Sequence, residues 1–392
     1  MNRRGTALAL ALASIAAVGL PAAAPAVARD GARPGAVLAT GPAGVTSQVA
    51  GASRSIVITY ETTTSAGEPV PATGLLLVPA GPAPADGWPL VVYGHMTTGA
   101  ADRCAPTQGV PGHSELRRMQ QGDDLARSLL AAGVAVARPD YEGLGTPGGH
   151  PYLQGGSLGR SMIDMVRATR DLIPLNGRWI ASGHSEGGVA ALNVADVRQA
   201  SVPGMELRGV QSITPVTQMD VLIRLFRRLP VALPPVTGGL VALAALILKG
   251  QATEDPALET LALNGGLSPH ARALWGDLET RCLNELSRTD SWGGLPPAAV
   301  LGPRGEEFLA RALAKLDADD VRRLRLQPVP VRIDEGLLDA VAPFPLTEQL
   351  VRTYRRQGVA VTHARWLADH STTNSAAFSV PPATRWILAR LR

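Results

Sequence analysis

The sequence predicts an α/β protein with a mostly parallel central sheet, helices on both faces and a helical insertion. Short apolar runs typical of buried strands alternate with amphipathic helical segments. One such run, Trp179–Ala181, leads through a glycine-rich turn into a helix. The alternation stops after Thr214 and returns near residue 325. We therefore expect a core of residues 29–214 and 325–392, with a helical cap over residues 215–324.

The first 28 residues are predicted to be a secretory signal peptide. A basic start, an alanine-rich apolar run and the small-residue site Ala26–Ala28 indicate cleavage after Ala28. Cleavage removes two arginines and no acid, which lowers the formal net charge from +4 to +2. Because no basic tract is interleaved with aromatic residues, we expect no nucleic-acid partner. In an exported chain, Cys104 and Cys282 are predicted to form a disulfide.

The core elements are predicted in chain order after a leader rich in Pro, Gly and Ala that extends to about Gly51. The first two strands are expected to pair in antiparallel fashion, and Pro139–Gly145 is expected to be a loop. The predicted strands are Ser55–Tyr60, Gly74–Val78, Leu90–Tyr93, Val134–Ala137, Trp179–Ala181, Leu207–Ile213, Pro328–Ile333 and Val359–Thr362. The predicted helices are a segment capped by Gln121–Asp124 and ending at Leu130, then Ser157–Ile173, Val189–Val194, Leu346–Arg356 and Pro382–Leu391.

The predicted cap is apolar and rich in proline. Val221–Leu229 is an amphipathic helix candidate, and Leu240–Leu248 is apolar all round but too short to span a bilayer. One interpretation is a cap whose apolar inner wall holds an apolar substrate group. A helical insertion with a core of its own explains the composition equally well.

The motif Gly183–Gly188 is predicted to be a nucleophile elbow. In such a strand–turn–helix unit the serine lies in a strained turn, and glycines two residues away let neighbouring backbones approach. Gly155–Gly159 matches the same pattern, but no strand precedes it, so we interpret Ser157 as a helix N-cap. Gly112–Glu115 repeats four letters, but a leucine follows where the turn needs glycine. The expected nucleophile is therefore Ser185.

A nucleophilic serine needs an imidazole to take its proton and a carboxylate to orient that imidazole. Downstream of Ser185, we predict His370 as this base because it lies in the loop after the last strand. His270 falls in the cap, and His363 ends a strand, so both fit the role less well. Asp339 is the predicted acid because it lies just beyond the turn that follows a strand. The rival acids are Asp334, Glu335 and Asp369.

The developing oxyanion is expected to meet two backbone N–H donors. One belongs to Glu186, and the other to Met96 or Thr97, which the sequence does not separate. The side chain of Glu186 is expected to be structural, although a carboxylate beside the serine could tune the charge preference of the site. Four further polar residues are expected to stabilise or pack loops: His95, Asp140, Glu142 and His184.

From Leu90 onward the chain resembles the secreted lipase/esterase branch of the α/β-hydrolases. The resemblance is carried by Gly94–Gly99 with Asp102–Pro106, by Pro139–Gly143, by Gly183–Gly188 and by Asp369–Ser371. It implies hydrolysis of an acyl ester or lipid by Ser185, Asp339 and His370, a helical lid, and no cofactor or metal. Related lipases usually carry glycine after the loop histidine, whereas Met96 here narrows the space for an acyl chain.

Three functions remain open at this point. The leading hypothesis is an exported serine esterase or lipase, with transient contact between its cap and a lipid interface. A peptidase or acyltransferase could use the same acyl-enzyme. A catalytically silent exported protein could keep the fold for its binding pocket.

Overall fold

A computed structural model describes residues 33–232 and 234–392, so the predicted signal peptide lies outside the described part. Within it, one sheet contains nine strands. They are β1 Val37–Pro42, β2 Ala52–Thr63, β3 Pro69–Pro79, β4 Trp88–Gly94, β5 Ala135–Glu142, β6 Leu175–His184, β7 Glu206–Ile213, β8 Val331–Gly336 and β9 Val361–Trp366.

The strands lie in the order β1-β2-β3-β5-β4-β6-β7-β8-β9. The pairings β1–β2, β2–β3 and β3–β5 are antiparallel, and the remaining five are parallel. The predicted antiparallel opening and the mostly parallel sheet are both confirmed. The carboxyl ends of β4, β6, β8 and β9 therefore share one edge, where ligands meet such sheets.

Twelve α-helices are present in the described residues. They are α1 Leu116–Met119, α2 Asp123–Ala131, α3 Gly155–Arg170, α4 Glu186–Val194, α5 Met219–Phe226, α6 Pro234–Thr253, α7 Pro256–Leu261, α8 Pro269–Ala273, α9 Leu283–Leu286, α10 Gly305–Ala318, α11 Phe344–Arg356 and α12 Val380–Leu391.

Helices cover both faces of the sheet because its central strands are apolar on both sides. In β4, Val91 belongs to the hydrophobic core that includes Leu129 of α2 and Ile387 of α12. Its neighbour Val92 points to the opposite face and belongs to the core that includes Leu158 of α3. The period-2 alternation of strand side chains thus builds two cores.

The described part of residues 215–324 contains α5 to α10 and no strand. In the described chain, no helix combines the length and hydropathy that a membrane span requires.

Three strand predictions were wrong in extent. The leader contains β1, an edge strand whose single pairing partner tolerates its glycine and proline. β5 continues through Pro139 to Glu142 where a loop was expected, because the ladder with β3 shifts register at this proline. β9 runs on to Trp366, so His363 lies within the strand and not at its end.

The N-cap assignment of Ser157 was also wrong. α3 begins two residues earlier, at Gly155, and Ser157 lies inside its first turn. Its hydroxyl donates to the carboxylate of Glu142, a short buried hydrogen bond. The serine therefore ties the helix to the end of β5, and the motif around it is not an elbow.

Candidate active site

Ser185 lies in a sharp turn between β6 and α4. Its φ of 58° is unusual for a residue with a side chain, and such conformations cost about 1–3 kcal/mol. The surrounding sheet holds the strained turn, since the Ser185 N–H donates to the carbonyl of Ile213 on β7 at 2.8 Å. A Cβ on Gly183 would overlap the carbonyl of Gly187, and one on Gly187 would overlap the carbonyl of Gly94. Glycine is therefore required at both positions.

Three side chains from different elements form one hydrogen-bonded chain. Ser185 Oγ lies 2.8 Å from Nε2 of His370, and His370 Nδ1 lies 2.7 Å from Oδ2 of Asp339. The other carboxylate oxygen of Asp339 accepts the backbone N–H groups of Val341 and Ala342 at 2.8 and 2.7 Å. This network assigns the imidazole proton to Nδ1 and leaves Nε2 free to accept from the serine. The arrangement can move a proton from hydroxyl to imidazole.

The rival acids are held elsewhere. Asp334 is buried and binds the guanidinium of Arg332 at 2.6 and 2.8 Å. Glu335 lies 2.9 Å from Nε2 of His363, so neither side chain is directed at the serine. Asp369 accepts hydrogen bonds from a threonine three residues further on, so its carboxylate points back into its own loop. Of the predicted acids, the structure brings only Asp339 to the imidazole.

The other histidines pack around the site. His184 Nε2 donates to the carbonyl of His370 at 2.8 Å, which holds the loop of that residue against the elbow. Burial, assisted by the neighbouring His370, lowers the pKa of His184 to about 3, so this imidazole stays neutral. His95 Nδ1 donates to the carbonyl of Met96 at 2.7 Å. His270 is exposed in α8.

The side chain of Glu186 turns away from the cavity and meets a residue that sequence reasoning missed. Its Oε1 lies 2.8 Å from Nε2 of His150, and both side chains are fully buried. His150 Nδ1 in turn donates to the carbonyl of Glu142 at 2.8 Å. Burial by itself lowers the pKa of His150, but the hydrogen bond and charge of Glu186 outweigh it and the net shift is upward. The upward shift favours the protonated form of the imidazole, which pairs with Glu186 directly behind the elbow.

The loop after β4 supplies the other side of the site. Met96 and Thr97 are buried and line the same cavity as Ser185. Neither backbone N–H donates to a protein acceptor in the described residues, and the same holds for the N–H of Glu186. All three remain available as oxyanion donors. The hydroxyl of Thr97 lies 2.6 Å from that of Tyr152, which the sequence did not single out.

A disulfide fastens this loop to the helical segment. Cys104 and Cys282 are joined with their Cα atoms 5.5 Å apart, as predicted. Beside it, the N–H of Leu283 donates to the carbonyl of Thr98 at 2.9 Å. The start of α9 is thus joined to the loop with the candidate donors by a covalent bond and a backbone hydrogen bond.

Two adjoining cavities lie in this region, and one of them contains the serine. The first, of about 280 Å³, is lined by Ser185 and His370 together with residues of α6 and the loop after β4. The second, of about 370 Å³, is almost wholly apolar and shares Met219, Leu243 and Val341 with the first. It runs between α5 and α6. In the described residues, no group of three or more His, Cys, Asp or Glu is placed to hold a metal ion.

In sequence, the chain is similar to known lipases. A family model described as secretory lipase matches residues 117–392. A probable inactive lipase from Mycobacterium tuberculosis is 26% identical over 345 residues, which is 84% of this chain and 72% of that protein.

The fold of this chain resembles solved structures whose sequence identity to it is low. Candida antarctica lipase A in its closed state has a TM-score of 0.69 and 17% identity, over 86% of this chain and 78% of that chain. A ligand-bound form of the rice cell wall degrading esterase LipA from Xanthomonas oryzae has a TM-score of 0.67 and 20% identity, over 92% of this chain and all of that one (100%). The predicted α/β-hydrolase fold is confirmed.

Proposed function

Because the chain belongs to the secretory lipase family, we propose that it is an exported serine hydrolase that cleaves acyl esters through an acyl-enzyme on Ser185. The strongest support is the continuous hydrogen-bonded chain from Ser185 Oγ through His370 to Asp339. No other histidine of the described residues has both a serine and a carboxylate on its two ring nitrogens.

The proposed reaction has two half-reactions, acylation of Ser185 and hydrolysis of the acyl-enzyme. Ser185 Oγ attacks the ester carbonyl carbon while His370 Nε2 takes the hydroxyl proton. The oxyanion accepts the N–H of Glu186 and that of Met96 or Thr97. His370 then protonates the departing alcohol, and later takes a proton from the water that hydrolyses the acyl-enzyme. Asp339 stays ionised and stabilises the imidazolium.

The apolar cavity supports an acyl group as the substrate part held beside the serine. Residues 215–324 act in this proposal as a cap, since Met219 and Leu243 contribute to both cavities. Val341 also borders both, so a tryptophan there should fill the space where they adjoin. We expect Val341→Trp to shift the preferred p-nitrophenyl ester toward shorter acyl chains. A folded Val341→Trp variant with an unchanged chain-length profile would contradict this acyl site.

We further propose that α5 contacts a lipid interface during turnover. Its Leu225 side chain is 67% exposed, and Val221 and Leu229 nearby are also exposed. Leu225→Ser should then reduce hydrolysis of an emulsified triglyceride more than hydrolysis of a dissolved short-chain ester. An equal effect on both substrates would argue against interfacial contact.

Export of the mature chain is part of the proposal. The secretory lipase family and the disulfide support it, since disulfides persist in oxidising compartments. N-terminal sequencing of secreted protein should find Arg29 as the first residue.

A catalytically silent binding protein is the second candidate, because a relative is named a probable inactive lipase. Hydrolysis of p-nitrophenyl esters by the wild type and by Ser185→Ala decides between the two. The enzyme hypothesis expects turnover that Ser185→Ala reduces by roughly a thousandfold or more. Equal rates for both proteins would leave the silent binding protein. A peptide amide and an alcohol acceptor tested alongside separate an esterase from a peptidase or acyltransferase.

A further inference from the structure

One cation stands in the otherwise uncharged wall of the cavity beside Ser185. Arg118, on α1, is the only Arg, Lys, Asp or Glu among the described residues that line it. The rest of the wall is apolar or bears neutral polar groups such as Thr97 and Tyr152. A lone guanidinium in such surroundings interacts more strongly with an anion than it would in water.

The guanidinium of Arg118 is held at one end and available at the other. Its Nε lies 3.1 Å from a carboxylate oxygen of Glu115, whose side chain is fully buried. Glu115 is itself fixed by a short hydrogen bond from the backbone N–H of Asn284, next to the disulfide. The two terminal nitrogens of Arg118 donate to no protein acceptor in the described residues, and the side chain is 31% exposed. A planar pair of N–H donors thus remains for a ligand.

The counter-charge beside Arg118 is incomplete. Burial raises the pKa of Glu115 to about 7, so this carboxyl group is only partly ionised at neutral pH. Three other nearby acids are already paired: Glu186 with His150, Asp339 with His370, and Glu285 with Arg103. The positive charge of Arg118 is therefore only partly neutralised at the site.

We propose that Arg118 binds a carboxylate or similar anionic group of the substrate, so that this enzyme prefers esters that carry a negative charge. The inference rests on the proposed ester hydrolysis and adds the substrate class to it. The two free guanidinium nitrogens match the two oxygens of a carboxylate in a bidentate pair. An anion held there lies in the same cavity as Ser185 Oγ, so binding and chemistry share one pocket.

Matched esters test the proposal directly. Monomethyl adipate carries a carboxylate where dimethyl adipate carries a second methyl ester, and 4-carboxyphenyl butyrate carries a carboxylate on the alcohol side that phenyl butyrate lacks. Each pair also differs in the number of ester bonds or in the leaving group, so the quantity compared is the change in the ratio between variants. We expect Arg118→Met to lower the ratio of kcat/KM for the anionic over the neutral ester by about tenfold in at least one pair. Arg118→Lys should restore part of that ratio.

Arg117→Met is the matched control. Arg117 is the adjacent arginine on α1, is exposed and does not line the cavity, so its loss removes the same charge without touching the site. We expect this variant to keep the wild-type ratio. A ratio unchanged in Arg118→Met for both pairs, or lowered equally in Arg117→Met, would overturn the proposal.

Calorimetric titration with adipate measures anion binding in the absence of turnover. We expect adipate to bind the Ser185→Ala variant. The double variant with Ser185→Ala and Arg118→Met should keep the same melting temperature but bind no adipate. If the wild type hydrolyses no ester but adipate binding still depends on Arg118, the proposed function fails and the anion site stands. If hydrolysis proceeds but adipate binding does not depend on Arg118, the anion site fails alone.

Discussion

The buried pair of His150 and Glu186 offers a sharp test of how the elbow is supported. His150→Leu keeps the volume of the side chain but removes the only hydrogen-bond partner of the Glu186 carboxylate in the described structure. The carboxylate is then left buried beside the first turn of α4 without a counter-charge. We expect a large loss of folding free energy and a displaced elbow.

The size of the effect follows from the geometry. At a separation of 2.8 Å the Coulomb attraction is about 6 kcal/mol for an effective dielectric constant of about 20. Desolvation of two fully buried groups opposes this attraction, so the net stabilisation by the pair is smaller. Removing one partner, however, strands the other charge, which typically costs about 3–5 kcal/mol. We expect His150→Leu to lose about that much.

Urea denaturation of four proteins measures this quantity: the wild type, His150→Leu, Glu186→Gln and the double variant. The double variant should recover part of the single losses, because no stranded charge remains.

The pKa of His150 is raised in the folded state, so its stabilising effect is complete below pH about 6.5 and is lost as the pH rises through the folded value. The gap between wild type and His150→Leu should thus shrink as the pH rises. Strictly additive losses, or a His150→Leu cost under about 1 kcal/mol, would refute the reasoning.

Three further predictions follow from the same site. Gly187→Ala should yield little soluble protein, because its Cβ would overlap the carbonyl of Gly94, whereas Gly276→Ala, with open space at its Cβ, should express normally. Asp339→Asn should lower kcat for an ester by roughly a thousandfold or more, while Asp369→Asn, whose carboxylate caps its own loop, should stay within about twofold. Reduction of the disulfide should cost about 2–5 kcal/mol in urea denaturation.

The parts of the fold that could be predicted are those with strong local signals. The central strands are continuous apolar runs. The elbow is a strand–turn–helix with obligatory glycines, so Ser185 could be placed from the motif together with the strand that precedes it, a context that Gly155–Gly159 lacks. Parallel strands bring their carboxyl ends to one edge. The loops after β8 and β9 therefore had to meet near the elbow, and Asp339 and His370 could be selected on that basis.

The parts that could not be predicted depend on contacts between distant segments. His150 follows two glycines in a turn-rich loop, and no spacing relates it to Glu186. The two meet only through the tertiary fold, since α3 and β6 lie between them in the sequence. Arg118 gives no signal in the sequence, since a four-residue helix carries no clear periodicity. The extension of β5 through Pro139 was hidden because proline usually ends a strand.

Labelling with a fluorophosphonate probe followed by intact mass spectrometry tests the proposed chemistry most directly. The probe reacts only with a serine hydroxyl that a neighbouring base activates, so it reads the interaction between Ser185 and His370 and not the identity of the substrate. We expect one adduct per folded chain for the wild type and none for Ser185→Ala. A folded wild-type protein that stays unlabelled, or equal labelling of Ser185→Ala, would contradict a catalytic serine at the elbow.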